Sequence, residues 1–251
     1  MTGIDYDHDR VAAAYRSGRT LPPDILAAWR QAVVPHVGAG GRVLDVGAGT
    51  GQFLRPLAEW LDARVVGVEP SAGMRAQALS VVDGRTTALV AGRAEALPLS
   101  PASVDVAWLS AVIHQFGDLS RAVDELRRVV RPGGRVLVRG FLSDTPLTGL
   151  FARFPGSERS AATFPSSASV FAAFERGGFT AAAAGNVVES WRFDVEQWRE
   201  RVRALRHVDS WLRPLTDDEI AAGLAAVEKL ADDSSAPLVS ETQLSLLVLA
   251  G

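Results

Sequence analysis

The stretch VLDVGAGTGQF, residues 43–53, decides the fold of this chain. Its first four residues belong to a run of apolar side chains around Asp45, typical of a strand buried on both faces of a sheet. A G-x-G-x-G pattern follows at 47–51 and leads into a helical stretch. Glycine lets a backbone approach a ligand closely, and the first N–H groups of a helix attract negative charge. The stretch therefore predicts a strand, a ligand-binding turn and a helix.

Short apolar runs and helical stretches alternate on either side of this turn. Strands are predicted at 42–46, 64–68, 87–91, 104–109 and 135–141. Helices are predicted at 51–60, at 72–82 and from Leu119 to Val130. Asp118 or Ser120 is the predicted N-cap of the third helix. Further strands are predicted at 180–189 and 242–249, and helices at 169–176, 195–205 and 217–230. This alternation predicts an α/β fold with a doubly wound, mostly parallel sheet.

A single domain of 251 residues is expected, because the sequence shows no repeat and no low-complexity linker. Residues 1–40 are interpreted as an N-terminal helical lid that is broken at Pro22-Pro23. Residues 41–141 form the predicted cofactor-binding core. Residues 142–251 supply substrate-side elements, a helical cap and the last strands.

Composition excludes several classes of function. The chain has no cysteine, and its four histidines are far apart, so no metal site is expected. The net charge of −3 gives no basic surplus, and no nucleic-acid partner is expected. The polar N-terminus is unlike a signal peptide, and no apolar run reaches the roughly 20 residues needed to span a bilayer. A cytoplasmic protein without a membrane partner is expected.

A second element indicates the ligand of the glycine turn. Glu69 ends the second predicted strand, where an acidic side chain accepts hydrogen bonds from both hydroxyls of a ribose. Gln52 stands where a dinucleotide-binding turn carries a small residue, which argues against a nicotinamide dinucleotide. The two elements together predict a cofactor that contains adenosine.

These elements occur with three further blocks in order, GRAEALPL (92–99), SVDVAWLS (103–110) and LRRVVRPGGRVLV (126–138). Over about residues 40 to 140 the chain resembles the class I (Rossmann-like) S-adenosylmethionine-dependent methyltransferase family, of the type that acts on small molecules. The resemblance implies a seven-stranded sheet that ends in an antiparallel hairpin, with the cap between its last two strands. It also implies S-adenosyl-L-methionine as cofactor and S-adenosyl-L-homocysteine as product.

The resemblance assigns cofactor roles to particular positions. It implies that the glycine turn holds the methionine end, that Glu69 holds the ribose, and that the block GRAEALPL (92–99) lies along the adenine. In chain order, the implied cofactor residues are Arg19, Asp45, Gly47, Ala48, Gly49, Gly51, Glu69, Pro70, Met74, Arg93, Ala94, Glu95 and Ser110. Arg93 departs from the family, in which an aspartate usually accepts the adenine amino group, because arginine cannot accept a hydrogen bond.

The acceptor is expected just past the fourth strand, at the carboxyl edge of the sheet. His114 is the candidate general base there, since histidine exchanges protons near neutral pH, and it is equally a candidate binding residue. The predicted substrate-binding residues are Tyr15, His114, Gln115, Phe141 and Trp191. A small-molecule acceptor in bacterial secondary metabolism is the favoured interpretation.

Three alternatives stay open on the sequence alone. The chain could methylate protein or RNA, although Ser110-Ala111-Val112-Ile113 replaces the Asn-Pro-Pro-aromatic loop expected for base-amine methylation. It could be a nicotinamide-dependent oxidoreductase, against which Gln52 argues. It could also bind the cofactor without transferring methyl, as a regulator or a cyclisation catalyst.

Overall fold

The structure is a computed structural model, and it describes residues 18, 20–232 and 237–251. The described residues form a seven-stranded sheet in the order β3-β2-β1-β4-β5-β7-β6. Strands β1 to β5 run parallel, whereas β7 is antiparallel to both β5 and β6. The strands are β1 (Arg42–Val46), β2 (Arg64–Glu69), β3 (Thr87–Ala91), β4 (Val104–Ser110), β5 (Val130–Gly140), β6 (Thr180–Phe193) and β7 (Leu238–Ala250).

Helices connect these strands, and several begin at the residues that the sequence indicates. The Asp118 carboxylate accepts a hydrogen bond from the backbone N–H of Arg121 at 3.0 Å, so Asp118 is the N-cap of α4 and Ser120 is not. Asp194 and Gln197 form a capping box at the start of α7. The described α-helices are α1 (Pro23–Val33), α2 (Leu54–Leu61), α3 (Ala72–Ala78), α4 (Leu119–Val129), α5 (Ser157–Ala161), α6 (Ser167–Arg176), α7 (Val195–Leu205) and α8 (Asp217–Asp232).

The predicted fold class is confirmed. The sheet is doubly wound and mostly parallel, ends in an antiparallel hairpin, and carries α7 and α8 as a cap between its last two strands. The first of the two predicted N-terminal helices lies outside the described residues. No described helix combines the length and apolar character needed to cross a bilayer.

The boundaries of the last strands differ from the prediction. β6 extends to Phe193 and β7 begins at Leu238, because these two residues pair with each other at the far end of the hairpin. β5 begins at Val130, which pairs with Val104 ahead of a shift in register. Each extension depends on a partner strand that is distant in sequence, so local periodicity did not indicate it.

Alternate residues of each strand face opposite layers of helices. On β1, Leu44 faces the layer that contains α4 and α6, where Leu126 and Phe174 are fully buried. Val43 faces the other layer, where Trp29 of α1 and Leu57 of α2 are buried. A third apolar cluster lies in and beneath the cap and includes the buried residues Phe154, Trp198, Leu205, Leu212 and Val227.

A buried ion pair lies between the sheet and α1. Arg139 of β5 pairs with Glu189 of β6, and each residue is only 4% exposed. Glu189 also accepts a hydrogen bond from the Trp29 indole at 2.7 Å. The Arg139 guanidinium lies 4.7 Å from the ring centroid of Trp29 and 5.3 Å from that of Phe53, and it donates to Ser110 Oγ at 3.0 Å. The pair thus joins β4, β5, β6 and α1 at one point.

Breaking this ion pair is expected to be costly. Glu189→Gln would leave the Arg139 guanidinium buried without its counter-charge, which should lower the free energy of unfolding by about 3 kcal/mol. The exposed Glu241→Gln on the neighbouring strand is the matched control, and its expected effect is within about 0.5 kcal/mol. Urea unfolding of both variants measures the difference. A loss below about 1 kcal/mol in Glu189→Gln would contradict a structural role for the pair.

Candidate active site

The glycine turn after β1 folds over the end of β2. The backbone N–H groups of Gly47 and Ala48 donate to the carbonyl of Val68 at 2.8 and 3.2 Å. Gly47 has a φ of +66°, and a Cβ atom there would lie 2.5 Å from Cγ2 of Val112. A side chain at position 47 would therefore collide with the loop after β4. Glycine at position 47 therefore lets the loop after β4 pack closely against the turn.

Gly51, the last glycine of the turn, has different neighbours from Gly47. Gly51 has a φ of +77°, and a Cβ atom there would meet Val81 at 2.7 Å and Ala78 at 3.0 Å. These neighbours belong to the segment at the end of α3, behind the turn. The structure therefore places Gly51 in the packing that supports the turn, whereas Gly47 and Gly49 line the cleft in front of it.

Glu69, at the end of β2, is 7% exposed and faces this cleft. Its Oε2 accepts a hydrogen bond from Gly49 N and its Oε1 accepts one from Ser71 N, both at 2.9 Å. A carboxylate has about four acceptor positions, so each oxygen can accept a further hydrogen bond from a ligand. The two backbone contacts fix the orientation of the carboxylate at the rim of the cleft.

The predicted adenine end of the cleft has Met74, Pro70 and Ala94 in its walls. The Arg93 side chain is 71% exposed, with its Nε 3.7 Å from Glu95 Oε2. Glu95 Oε1 accepts a hydrogen bond from Gly117 N at 2.9 Å, so its carboxylate holds the loop before α4. The other lining residues are Gly47, Gly49, Val68, Glu69, Ser71, Gly92, Ser110, Ala111, Val112, Gln115 and Phe116.

Asp45 is buried at the end of β1, with 2% of its surface exposed. Its burial, together with the negative charge of Glu69, raises the pKa of the Asp45 carboxyl from 3.8 to about 8. A cation bound beside Asp45 would favour the ionised form and reverse this shift. The residue therefore suits a ligand that brings its own positive charge.

A second cavity continues from the cleft on the far side of the turn. We call it the methionine-end cavity, after the part of the cofactor that the sequence predicts at the glycine turn. It is bounded by Asp45, Gly47 and Gly49 together with Ser110 and Ala111, so it shares its wall with the first cleft. The remaining residues in its walls are Leu21, Ala48, Thr50, Gln52, Phe53, Arg139, Glu189, Trp191 and Arg201.

A third cavity, the aromatic cavity, lies under the cap. It shares Ala111 and Arg139 with the methionine-end cavity. The Phe141 ring meets Trp211 edge-on at a centroid distance of 4.5 Å and Phe164 at 5.4 Å. The aromatic residues in its walls are Phe141, Phe151, Phe164, Trp191, Phe193, Trp198 and Trp211. These side chains come from β6, the cap and the segment between β5 and α6.

His114 lines this aromatic cavity. It lies in a 3-10 turn after β4, its ring centroid is 4.8 Å from that of Phe164, and its Nε2 is 2.9 Å from Oγ of Ser210 in the cap. Phe141 and Trp191 line the same cavity, whereas Gln115 is exposed and lines the cofactor cleft instead. Tyr15 and Arg19 lie outside the described residues.

Sequence reasoning missed three charged residues of the site. Arg139 and Glu189 line both the methionine-end and the aromatic cavity, and so does Arg201 of α7. Arg139 and Glu189 interrupt stretches of strand that are otherwise apolar or small, VLVRGF (136–141) and VVESW (187–191). A charge within a buried strand requires a partner, which is the signal that could have found this pair.

Comparison with known proteins agrees with this geometry. Residues 44–138 match the model of the methyltransferase domain family. This part of the chain resembles a methyltransferase domain. The predicted resemblance to class I S-adenosylmethionine-dependent methyltransferases is confirmed by this match and by the order of the strands.

The relatives differ in how much they share with the chain. A demethylmenaquinone methyltransferase of Roseiflexus castenholzii is 38% identical over 111 residues, which cover 43% of this chain and 47% of the relative. The chain spans about half the length of most of the curated relatives it matches.

Solved structures share the fold at low sequence identity. The [4+2]-cyclase SpnF has a TM-score of 0.65 at 18% identity, covering 100% of this chain and 98% of its own. A phosphoethanolamine N-methyltransferase of Haemonchus contortus, solved with S-adenosylhomocysteine, has a TM-score of 0.59 at 17% identity, covering 97% of this chain and 57% of its own.

The pKa of Asp45 predicts how stability depends on pH. The folded state favours the protonated Asp45 carboxyl. The stabilisation of the folded state that results is complete below pH 3.8 and is lost as pH rises through about 8. Asp45→Asn, which carries a neutral side chain at every pH, should lose less stability between about pH 5 and about pH 8.5 than the unmodified protein. Urea unfolding at both pH values measures this. Parallel pH dependence of the two proteins would contradict a buried, protonated Asp45. The exposed Asp24→Asn serves as control.

Proposed function

We propose that this protein transfers the methyl group of S-adenosylmethionine to a small molecule held in the aromatic cavity. The observation that carries the proposal is the arrangement of the three cavities. The cleft with Glu69 leads past the glycine turn to Asp45, and Ala111 is in the walls of all three cavities. An adenosine cofactor lying along the cleft would therefore present its methionine end to the aromatic cavity.

The residues in place fit the cofactor. The space in front of Gly49, where a Cβ atom would meet no described side chain within 4 Å, admits a ligand against the backbone, and the Glu69 carboxylate suits the two hydroxyls of a ribose. Asp45 suits an ammonium group, because a positive charge would restore its ionised form. When bound, S-adenosylmethionine supplies a methyl group that is activated by a sulfonium. The protein then has to align an acceptor with it and exclude water.

An aromatic acceptor fits the walls of the third cavity. Phe141, Phe164 and Trp211 meet edge-on or at a tilt, and such a cage favours a flat ring and excludes water. The names of the curated relatives support a quinone-like ring, since several are demethylmenaquinone methyltransferases. We therefore propose a reduced bicyclic or monocyclic aromatic ring as the acceptor.

His114 is the proposed general base. It lines the acceptor cavity, and its Nε2 is hydrogen-bonded to Ser210 Oγ, which orients the ring. A phenolic or enolic acceptor becomes a strong nucleophile when it loses its proton, and an imidazole within reach would take that proton. The Arg139 guanidinium in the same wall would stabilise the resulting negative charge.

The whole chain would act as one unit in this scheme. We propose that residues 41–141 bind the cofactor, that residues 142–251 hold the acceptor, and that residues 1–40 cover the site. Trp191 supports the second assignment, because it lines both the aromatic cavity and the methionine-end cavity, which contains the glycine turn. The cytoplasmic location stays a prediction.

Cofactor binding without methyl transfer is the second candidate. A fold neighbour of this chain is named a [4+2]-cyclase, and the fold is common to both activities. Incubation with methyl-labelled S-adenosylmethionine separates the two. The acceptor panel consists of reduced naphthoquinones with a free ring position, and of phenols and naphthols. Label in an extracted product supports methyl transfer, whereas S-adenosylhomocysteine binding with no labelled product across the panel would overturn it.

Replacement of the proposed base should affect turnover more than binding. With an acceptor from this panel, His114→Ala should lower kcat by about 10²- to 10⁴-fold, the range for loss of a general base. Affinity for S-adenosylhomocysteine should change less than about threefold, because His114 lines only the acceptor side among the three cavities. The exposed His207→Ala is the matched control. Unchanged kcat in His114→Ala would remove the base assignment.

A further inference from the structure

Arg201 is placed differently from its neighbours on the cap helix α7. Its guanidinium carbon lies 4.2 Å from the ring centroid of Trp191 and 5.5 Å from that of Phe193, so the side chain lies against the end of β6. Arg203 on the same helix is 68% exposed and pairs with Glu196. Arg199 also pairs with Glu196 and with Glu228 of α8. The cap thus directs the Arg201 side chain towards the sheet.

The position of Arg201 brings the cap into the cofactor site. The residue lines the aromatic cavity and also the methionine-end cavity, which contains the glycine turn and Thr50. Trp191, on which its guanidinium stacks, lines both cavities as well. A charged group of the cap therefore lies beside the part of the site where the amino-acid end of the proposed cofactor would be.

The charges in the methionine-end cavity match those of an amino acid. Among the residues that the structure describes, four charged ones line it: Asp45, Arg139, Glu189 and Arg201. Arg139 and Glu189 form a buried ion pair with each other, and Asp45 suits an ammonium group. An α-carboxylate in this cavity also needs a cationic partner, and a guanidinium binds a carboxylate through two parallel hydrogen bonds. Arg201 brings such a group from the cap.

We propose that Arg201 binds the carboxylate of the methionine part of S-adenosylmethionine, so that the cap completes the cofactor site. The inference rests on the proposed function. It gives a physical link between the two ligands, because the same side chain stacks on Trp191 in the wall of the acceptor cavity. Cofactor binding would then fix the cap against the sheet and complete the walls around the acceptor.

Two nucleosides that differ in the amino-acid part test this contact. S-adenosylhomocysteine carries the carboxylate, and 5′-methylthioadenosine has the same adenosine and thioether without it. In calorimetric titrations Arg201→Gln should weaken S-adenosylhomocysteine by about tenfold or more, as expected for loss of a charge-assisted hydrogen bond. Its affinity for 5′-methylthioadenosine should change less than about threefold. Arg203→Gln on the same helix is the matched control and should change neither affinity.

The comparison also controls for misfolding. An Arg201→Gln variant that simply unfolds would lose affinity for both ligands. In that case Arg201→Lys, which keeps the charge, is used instead. It should retain its affinity for 5′-methylthioadenosine and lose a smaller part of its affinity for S-adenosylhomocysteine. Equal weakening of the two ligands in a folded variant would overturn the inference. Unchanged affinity for both would also overturn it, and would assign Arg201 to the acceptor. Absence of binding of either ligand to the unmodified protein would instead refute the proposed cofactor.

Discussion

The hydrogen bonds from Gly47 N and Ala48 N to the carbonyl of Val68 hold the glycine turn over the end of β2. This closure brings the ends of two parallel strands together, and with them the two carboxylates Asp45 and Glu69. The turn can close only because position 47 has no side chain to meet Val112. The backbone N–H of Gly49 also donates a hydrogen bond to the Glu69 carboxylate, and this is a second link between the turn and β2. The remaining features of the site lie around this closed turn.

The three cavities around the turn differ in the chemistry of their walls. The cleft by Glu69 has both polar and apolar walls, the described walls of the methionine-end cavity include two acids and two arginines, and the walls of the cavity beneath the cap contain several aromatic rings. The buried pair of Arg139 and Glu189 stands in the walls of the second and third cavities. A buried ion pair gives little net stability compared with apolar side chains of similar volume. Its position in the walls of both cavities therefore favours a role in arranging the site as well as in holding β5, β6 and α1 together.

Local sequence patterns predicted the parallel half of the fold well, because most strands there are short and apolar and several are followed by a helix. They also indicated the glycine turn and Glu69, whose roles depend on position along one βαβ unit. They did not indicate the full length of β6 and β7, which is set by pairing of Phe193 with Leu238. The same limit applies to Arg139, Glu189 and Arg201. Their neighbours come from distant parts of the chain, and no residue nearby in sequence shows that their charges meet at one site.

The central claim is that the cleft at Glu69 binds S-adenosylmethionine, and calorimetric titration tests it most directly. S-adenosylmethionine, S-adenosylhomocysteine and NAD are titrated in parallel into the protein and into Glu69→Ala, with the exposed Glu59→Ala as control. The account predicts that the first two bind, that NAD does not, and that Glu69→Ala costs about 1.5–3 kcal/mol of binding free energy, as for hydrogen bonds to a charged group. Binding of NAD alone, or unchanged affinity in Glu69→Ala, would contradict it.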